Sequence, residues 1–151
     1  MKKKNVLMLV LLGISLASFS QKLSLNESTN FYEFSKIVKT NDGKIKEKFI
    51  KRFKQINLED IESSEKSIKG TGVTSHLASG IPIAIMYLVK VDFKEKKYKL
   101  TLTNFLLEDQ RGKHPLEGMR SYKKRWIKKI NKKLPEIISN IENLNTKEEE
   151  W

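Results

Sequence analysis

The sequence predicts an α+β domain with a single antiparallel, curved sheet. Its elements come in the order strand, helix, four strands, helix, and the long C-terminal helix is expected to pack on the sheet. Three patterns support this fold class: an amphipathic helical stretch early in the chain, two alternating segments in the middle that form a hairpin, and a long apolar stripe of helical period near the end.

The domain is expected to begin with a strand and a helix. Apolar and aromatic residues are closely spaced between Asn30 and Lys39, which predicts the first strand. The segment from Thr40 to Gly43 predicts a turn in which Asp42 is the helix N-cap. From Lys44 to Ile56 the apolar residues follow a helical period and most lysines fall on the other side, which predicts an amphipathic helix.

A polar stretch and a short apolar one come next. The segment from Ile61 to Gly72 predicts an edge strand, and Val73 to Leu77 predicts another short strand before a turn region at Gly80 to Pro82. The sequence Gly-Thr-Gly ending at Gly72 has no following Lys-Ser/Thr and no following helix. It is therefore expected to form a bulge or turn rather than a phosphate-binding loop.

The clearest pattern runs from Pro82 to Leu107. Apolar residues alternate along its first part, whose early half is apolar on both sides, so we expect a central strand with one end deeply covered. The cluster Lys94 to Lys97 predicts a turn. After it, Tyr98, Leu100 and Leu102 alternate with polar residues, which completes a predicted hairpin.

The C-terminal part is expected to be a loop and then a long helix. Glu108 to Met119 predicts the loop, and an apolar stripe from Trp126 to Ile141 predicts the helix. Pro135 lies opposite the stripe, so we expect one long helix bowed or kinked at this residue, with two shorter helices as the alternative. The stripe is predicted to pack on the strand face that carries Ile85, Tyr87 and Val89. Residues 146–151 form a polar tail.

The first twenty residues have the composition of a secretory signal peptide. Lys2 to Lys4 precede an apolar run from Val6 to Ala17, which is shorter than the roughly twenty residues that span a bilayer. Small residues predict cleavage between Ser20 and Gln21, and an uncleaved anchor is the alternative. We therefore expect an exported protein, soluble in the periplasm or outside the cell, with one domain at residues 21–145.

Few residues suggest catalysis or metal binding. The chain has no cysteine, which excludes thiol nucleophiles, thiolate zinc sites and disulfides. His76 and His114 fall in separate predicted loops, and Ser75 beside His76 does not by itself form a catalytic triad. The acidic residues and histidine between Glu108 and Glu117 match no metal-binding spacing and predict a solvated polar loop. We expect no catalytic residue, no cofactor and no metal.

The charge is strongly basic and consists mostly of lysine. Removing the leader takes 3 of the 30 basic residues and leaves 27 against 18 acidic ones, a net charge of about +9. Only four basic residues are arginine, the residue best suited to bidentate contacts with bases, so specific nucleic-acid binding is not expected. Six cations of the predicted long helix lie outside its apolar stripe: Lys124, Arg125, Lys128, Lys129, Lys132 and Lys133.

These six cations have two interpretations. They form either a solvated helix face or a docking surface for anionic head groups or acidic glycans. The expected partners are anionic envelope components or another envelope protein. Membrane contact is expected only through the leader before cleavage or at the membrane surface.

Three segments carry a resemblance to a known family. The sequences IKGTG (Ile68–Gly72), IAIMYLVKVDFK (Ile83–Lys94) and KYKLTLTNF (Lys97–Phe105) resemble exported bacterial proteins of domain-of-unknown-function family 4468 (DUF4468). The resemblance covers Phe31 to Leu107. It departs from the family at the hairpin turn, which is Lys-Glu-Lys-Lys instead of Asp-Gly, and in the first helix, which has no tryptophan. It implies export and a TATA-binding-protein-like (TBP-like) fold, a name that describes shape and carries no DNA-binding activity.

The leading functional hypothesis is therefore a non-catalytic, exported binding or structural module. An alternative is a carrier of a small apolar or lipid-like ligand, held between the sheet and the C-terminal helix. That alternative requires an apolar cavity of more than roughly 300 Å³. An enzyme would instead require polar groups that converge in a pocket.

Overall fold

A computed structural model describes residues 21–144. The predicted leader, the residue before the predicted cleavage bond and the tail at 146–151 lie outside the described residues. Within residues 21–144, seven strands form one antiparallel sheet and two α-helices cover one of its faces. The strands are β1 (Ser24–Asn26), β2 (Phe31–Lys39), β3 (Glu59–Ser63), β4 (Ser67–Ala78), β5 (Ile81–Lys94), β6 (Lys97–Asp109) and β7 (Gly112–Pro115). The helices are α1 (Ile45–Gln55) and α2 (Lys123–Glu142), and a 3-10 turn spans Leu116–Gly118.

The sheet order is β1-β2-β6-β5-β4-β3, with β7 paired to β6. β5 and β6 form the predicted hairpin around Glu95 and Lys96, and β5 lies between β4 and β6 as expected for a central strand. Lys96 adopts a φ of 54°, the left-handed conformation that tight hairpin turns require. The α+β class, the antiparallel sheet and the C-terminal helix are therefore confirmed.

The core lies between the helices and the inner face of the sheet, the face that the helices cover. Ile85 and Val89 of β5 are fully buried there, in the same cluster as Ile130 and Leu134 of α2. α2 runs without a break through Pro135, whose side chain is exposed on the side away from the stripe. One long helix, packed on the predicted face of β5, is therefore confirmed.

The region predicted as one edge strand and one short strand folds differently. β3 and β4 are two strands joined by a turn at Ser64–Lys66, and β4 continues without interruption to Ala78. The first half of β4 lies between β3 and β5, so it is not an edge. This region is rich in polar residues, and these concealed a long strand. A strand tolerates them because one of its sides faces solvent.

A bulge of β3 between Glu59 and Glu62 lies opposite Gly70, so the predicted bulge is partly found, while Gly70 and Gly72 themselves form no turn. They pair in regular register with Val89 and Tyr87 of β5. A Cβ atom at Gly72 would lie 2.5 Å from carbon atoms of the Tyr87 ring, far closer than van der Waals contact allows. Glycine is therefore needed because the Tyr87 ring, itself buried, packs directly over the β4 backbone.

Two further expectations are corrected near the chain's turns. The predicted loop after Glu108 contains the last residues of β6 and the strand β7, which folds back on β6 through a turn where Gly112 has a φ of 122°. Asp42 does not cap α1 as its N-cap residue, since Lys44 holds that position. The Asp42 carboxylate instead accepts a hydrogen bond from the backbone N–H of Lys44 (2.9 Å) and pairs with Lys48 (2.6 Å).

The predicted deep covering of one end of β5 is also wrong. Ala84, Met86 and Leu88 lie on the face of the sheet opposite the helices, which we call the open face, and remain half-exposed. On the same face of β4, Val73 is 52% exposed and Leu77 69% exposed. The apolar residues on both sides of β5 therefore mark one covered face and one uncovered face.

Candidate anion-binding surface

All six cations singled out from the sequence lie on α2. Lys124, Arg125, Lys128 and Lys132 are exposed, while Lys129 and Lys133 are half-buried at one margin of the apolar stripe. They do not form one uniform surface. Their environments form two groups, one beside the N-terminal segment and one beside β4, and Lys132 borders both.

The first group surrounds a hollow that we call the lysine hollow. Lys124, Lys128 and Lys132 line it from α2, and Lys22 lines it from the segment before β1. Its volume is about 490 Å³. The remaining wall is formed by Gln21, Ile127 and Asn131.

The N-terminal segment is held against α2 by one hydrogen bond and one buried side chain. The backbone N–H of Leu23 donates to Oδ1 of Asn131 at 2.7 Å, and the Leu23 side chain is part of the core. This anchoring places Lys22 beside helix residues that follow it by about a hundred positions. The hollow is therefore a product of tertiary structure.

The lysine hollow has the chemistry of an anion site. None of its four lysines forms an ion pair with a carboxylate among residues 21–144. Each ammonium group has three donor hydrogens, and four like charges around one hollow repel each other unless an anion lies between them. No arginine lines the hollow, so it recognises charge without the fixed fork geometry of a guanidinium.

Gln21, which lines both this hollow and one beside the end of α2, carries a side-chain acceptor. Its Oε1 atom is buried and has no hydrogen-bond partner among the described residues. A buried acceptor without a donor costs free energy of unfolding.

The second group lies beside β4, around Trp126. The Trp126 ring packs edge-to-face against His76 of β4, with ring centroids 5.8 Å apart. Nζ of Lys129 lies 4.3 Å from the centroid of the Trp126 ring, a cation–π contact. Burial first, and then the nearby charges of Lys129, Lys133, Arg125 and Lys132, hold the pKa of His76 below its usual value.

The other sequence candidates do not converge. Nε2 of His114 lies 3.3 Å from Oδ1 of Asp109, and Glu117 accepts a hydrogen bond from the backbone N–H of Tyr32 at 3.0 Å. Glu117 thus holds the 3-10 turn to β2, while His76 lies on a different strand from His114. Residues 21–144 contain no cluster of three histidine or acidic side chains that could hold a metal ion.

Five hollows lie at the surface of residues 21–144. The largest of the five, about 770 Å³, lies at the end of the β5–β6 hairpin, where lysines, Asp92 and Glu95 line it together with Phe93 and Tyr98. None of these five hollows is lined by both α2 and the inner face of the sheet. None of them is therefore the cavity between sheet and C-terminal helix that the carrier hypothesis requires. No helix in the described part of the chain is long and apolar enough to cross a membrane.

Sequence reasoning found the helix cations but missed Lys22, Gln21 and Asn131. Part of the arrangement could be predicted, because Lys124, Lys128 and Lys132 are spaced by four residues and must share one row of a helix. The contribution of the N-terminal segment could not be predicted. It depends on where that segment crosses α2.

No protein-family model matches the sequence, and no curated protein matches it. Among solved structures, a DUF4468 family protein of Bacteroides ovatus has a TM-score of 0.60 and 15% identity, over 84% of this chain and 94% of that chain. A TBP-like protein of Parabacteroides distasonis has a TM-score of 0.57 and 11% identity, over 78% of this chain and 95% of that chain. At such identities the likeness concerns the fold. The resemblance to DUF4468 is confirmed at this level, and the chain has a TBP-like fold.

Proposed function

We propose that the protein is an exported, non-catalytic binding module whose lysine hollow takes an anionic component of the cell envelope. The observation that carries the proposal is the convergence of four lysines from two distant segments on one hollow. Export rests on the leader-like composition of residues 1–20. Outside the cytoplasmic membrane, the anions that such a surface meets are lipid head groups and acidic glycans.

The walls of the hollow narrow the ligand class. Lysine ammonium groups favour phosphate, carboxylate or sulfate groups, and Ile127 offers an apolar contact. An acidic head group or an acidic sugar unit fits these features.

The binding test compares two triple variants of equal net charge. Lys124→Glu/Lys128→Glu/Lys132→Glu reverses the hollow, and Lys39→Glu/Lys51→Glu/Lys54→Glu reverses three exposed lysines elsewhere. The exported protein is titrated with anionic vesicles, an acidic glycan and duplex DNA at low and physiological salt. Since each lysine contributes about 1 kcal/mol near an anionic surface, we expect the hollow variant to lose roughly a hundredfold in affinity. The control variant should lose far less.

The outcomes separate the interpretations. Binding to vesicles alone identifies a head group, and binding to the glycan alone identifies a sugar acid. Equal losses in both variants would mean that only net charge matters and that the α2 cations form a solvated face. Preference for one DNA sequence at physiological salt would overturn the envelope assignment, because binding through charge alone is independent of sequence and weakens steeply with salt.

Export has its own test. N-terminal sequencing of protein isolated from its native cells should give a chain that begins at Gln21. Intact Met1 on soluble cytoplasmic protein would overturn export and leave the charge chemistry of the hollow untouched.

A further inference from the structure

The second half of β4 has an unpaired outer edge. β3 pairs with β4 only as far as the pair Glu59–Thr71, whereas β5 pairs with β4 along its whole length to Ala78. From Val73 to Ala78 the outer edge of β4 therefore has no strand partner within residues 21–144, and its backbone makes no hydrogen bond to any other turn or loop there. This stretch is roughly 20 Å long.

This edge lacks the features that usually prevent strand addition. Natural edge strands carry charged residues, proline or bulges. β3 has three acidic residues, and the edge strand β7 has a lysine. The segment Val-Thr-Ser-His-Leu-Ala at the unpaired edge of β4 has no lysine, arginine, acidic residue or proline, and its register with β5 is regular.

The two sides of this edge differ in chemistry. On the open face, Val73 and Leu77 present apolar side chains that are 52% and 69% exposed. On the helix side, His76 contacts Trp126, and the nearby cations of α2 are Arg125, Lys129, Lys132 and Lys133. A strand added here meets apolar groups on one side and cations on the other.

We propose that the edge from Val73 to Ala78 is a docking site for an extended protein segment in which acidic and apolar residues alternate. Its main chain pairs with the free N–H and C=O groups of β4, as in other cases of strand addition. Its side chains alternate between the two faces, so that acidic residues meet the α2 cations and apolar residues meet Val73 and Leu77. This site shares only Lys132 with the lysine hollow and does not depend on the proposed function.

Charge argues against a second copy of this chain as the occupant. Antiparallel pairing of β4 with β4 of another copy places both inner faces on the same side of the joined sheet. The cations beside His76 would then face the same cations of the other copy and repel them. An acidic segment replaces that repulsion with attraction.

The test uses a synthetic peptide of about ten residues in which Glu and Val alternate, long enough to cover the edge. One control peptide alternates Lys and Val, and another has the same Glu and Val content in two separate blocks. Amide hydrogen exchange is followed with and without each peptide. The alternating Glu/Val peptide should protect alternate amides between Val73 and Ala78, and neither control should do so.

Two substitutions at exposed positions check the location. Leu77→Lys places a charge on the proposed edge, and Ile37→Lys places one on the open face of β2, where Ile37 is 66% exposed. Leu77→Lys should weaken binding of the alternating peptide at least about fivefold, since it removes a cross-strand apolar contact and adds a charge to the edge. Ile37→Lys should have little effect, and circular dichroism confirms that both variants are folded.

Three results would overturn the proposal. Equal binding of the block peptide and the alternating peptide would reduce the effect to net charge. Protection outside Val73–Ala78, or no protection at all, would also contradict the proposed location. Protection of these amides without peptide, rising with protein concentration, would make a second copy the occupant.

Discussion

The two faces of the sheet are built by the same strands and differ in what covers them. On the inner face of β5, Ile85 and Val89 are fully buried beneath the helices. On the open face, their neighbours Met86 and Leu88 remain half-exposed. The backbone hydrogen bonds serve both faces equally, so we expect the inner face to contribute most of the side-chain stabilisation.

The largest expected effect is the loss of Trp126 from the covered side. Trp126→Ala should lower the free energy of unfolding by about 3–5 kcal/mol, because it removes a buried ring that contacts His76 and Lys129. Leu77→Ala on the open face should change it by about 0.5 kcal/mol or less. Urea unfolding measures both. An unchanged midpoint for Trp126→Ala would show that α2 is not docked on the sheet.

A sharper test uses two adjacent residues of β5. Ile85→Ala should cost about 2–5 kcal/mol because Ile85 is fully buried. Met86→Ala removes a similar volume from the open face and should cost about 1 kcal/mol or less. Equal costs in urea unfolding would mean that both faces are covered in solution, as the two-sided apolar pattern predicted.

A steric prediction concerns how closely the inner face is packed. Gly72→Ala should cost about 1–3 kcal/mol, because the new Cβ overlaps the buried Tyr87 ring. In a Tyr87→Leu background the overlapping ring atoms are gone, so the same substitution should cost much less. A double-mutant cycle measures this coupling. The same cost in both backgrounds would show that the requirement for glycine comes from the backbone.

Periodicity predicted the elements whose pattern is long. The α2 stripe and the β5–β6 hairpin could be read from the sequence because each repeats its pattern over many residues. Periodicity could not distinguish a covered face from an open one, since Met86 and Ile85 are both apolar. The role of Gly72 depends on the Tyr87 ring of a neighbouring strand, and β7 was missed because a strand of four residues is too short for a pattern.

The candidate site shows the same limit. Six of the seven cations of α2 were singled out because a helix sorts residues by spacing alone. Their division into two groups depends on Lys22 at one side of the helix and on His76 at the other. Both are tertiary contacts, which residue spacing does not predict.

The smallest expected effect lies at the margin of the inner face, where His76 meets the α2 cations. NMR titration should place the pKa of His76 below its ordinary value of 6.5, because burial and the nearby charges disfavour the imidazolium. Arg125→Gln/Lys133→Gln should raise this pKa towards 6.5 while leaving the contact between Lys129 and Trp126 in place.

The lowered pKa of His76 also makes the free energy of unfolding depend on pH. A depressed pKa means that the unfolded state binds the proton more tightly, so the contribution of His76 is fully present above pH 6.5. It is lost as the pH falls below 6.5 and through the lower pKa of the folded state. The loss should be small, because His76 is only partly buried. His76→Gln should remove this part of the acid-side slope in urea unfolding, and a titration of His76 at or above 6.5 would contradict the placement of the α2 cations beside β4.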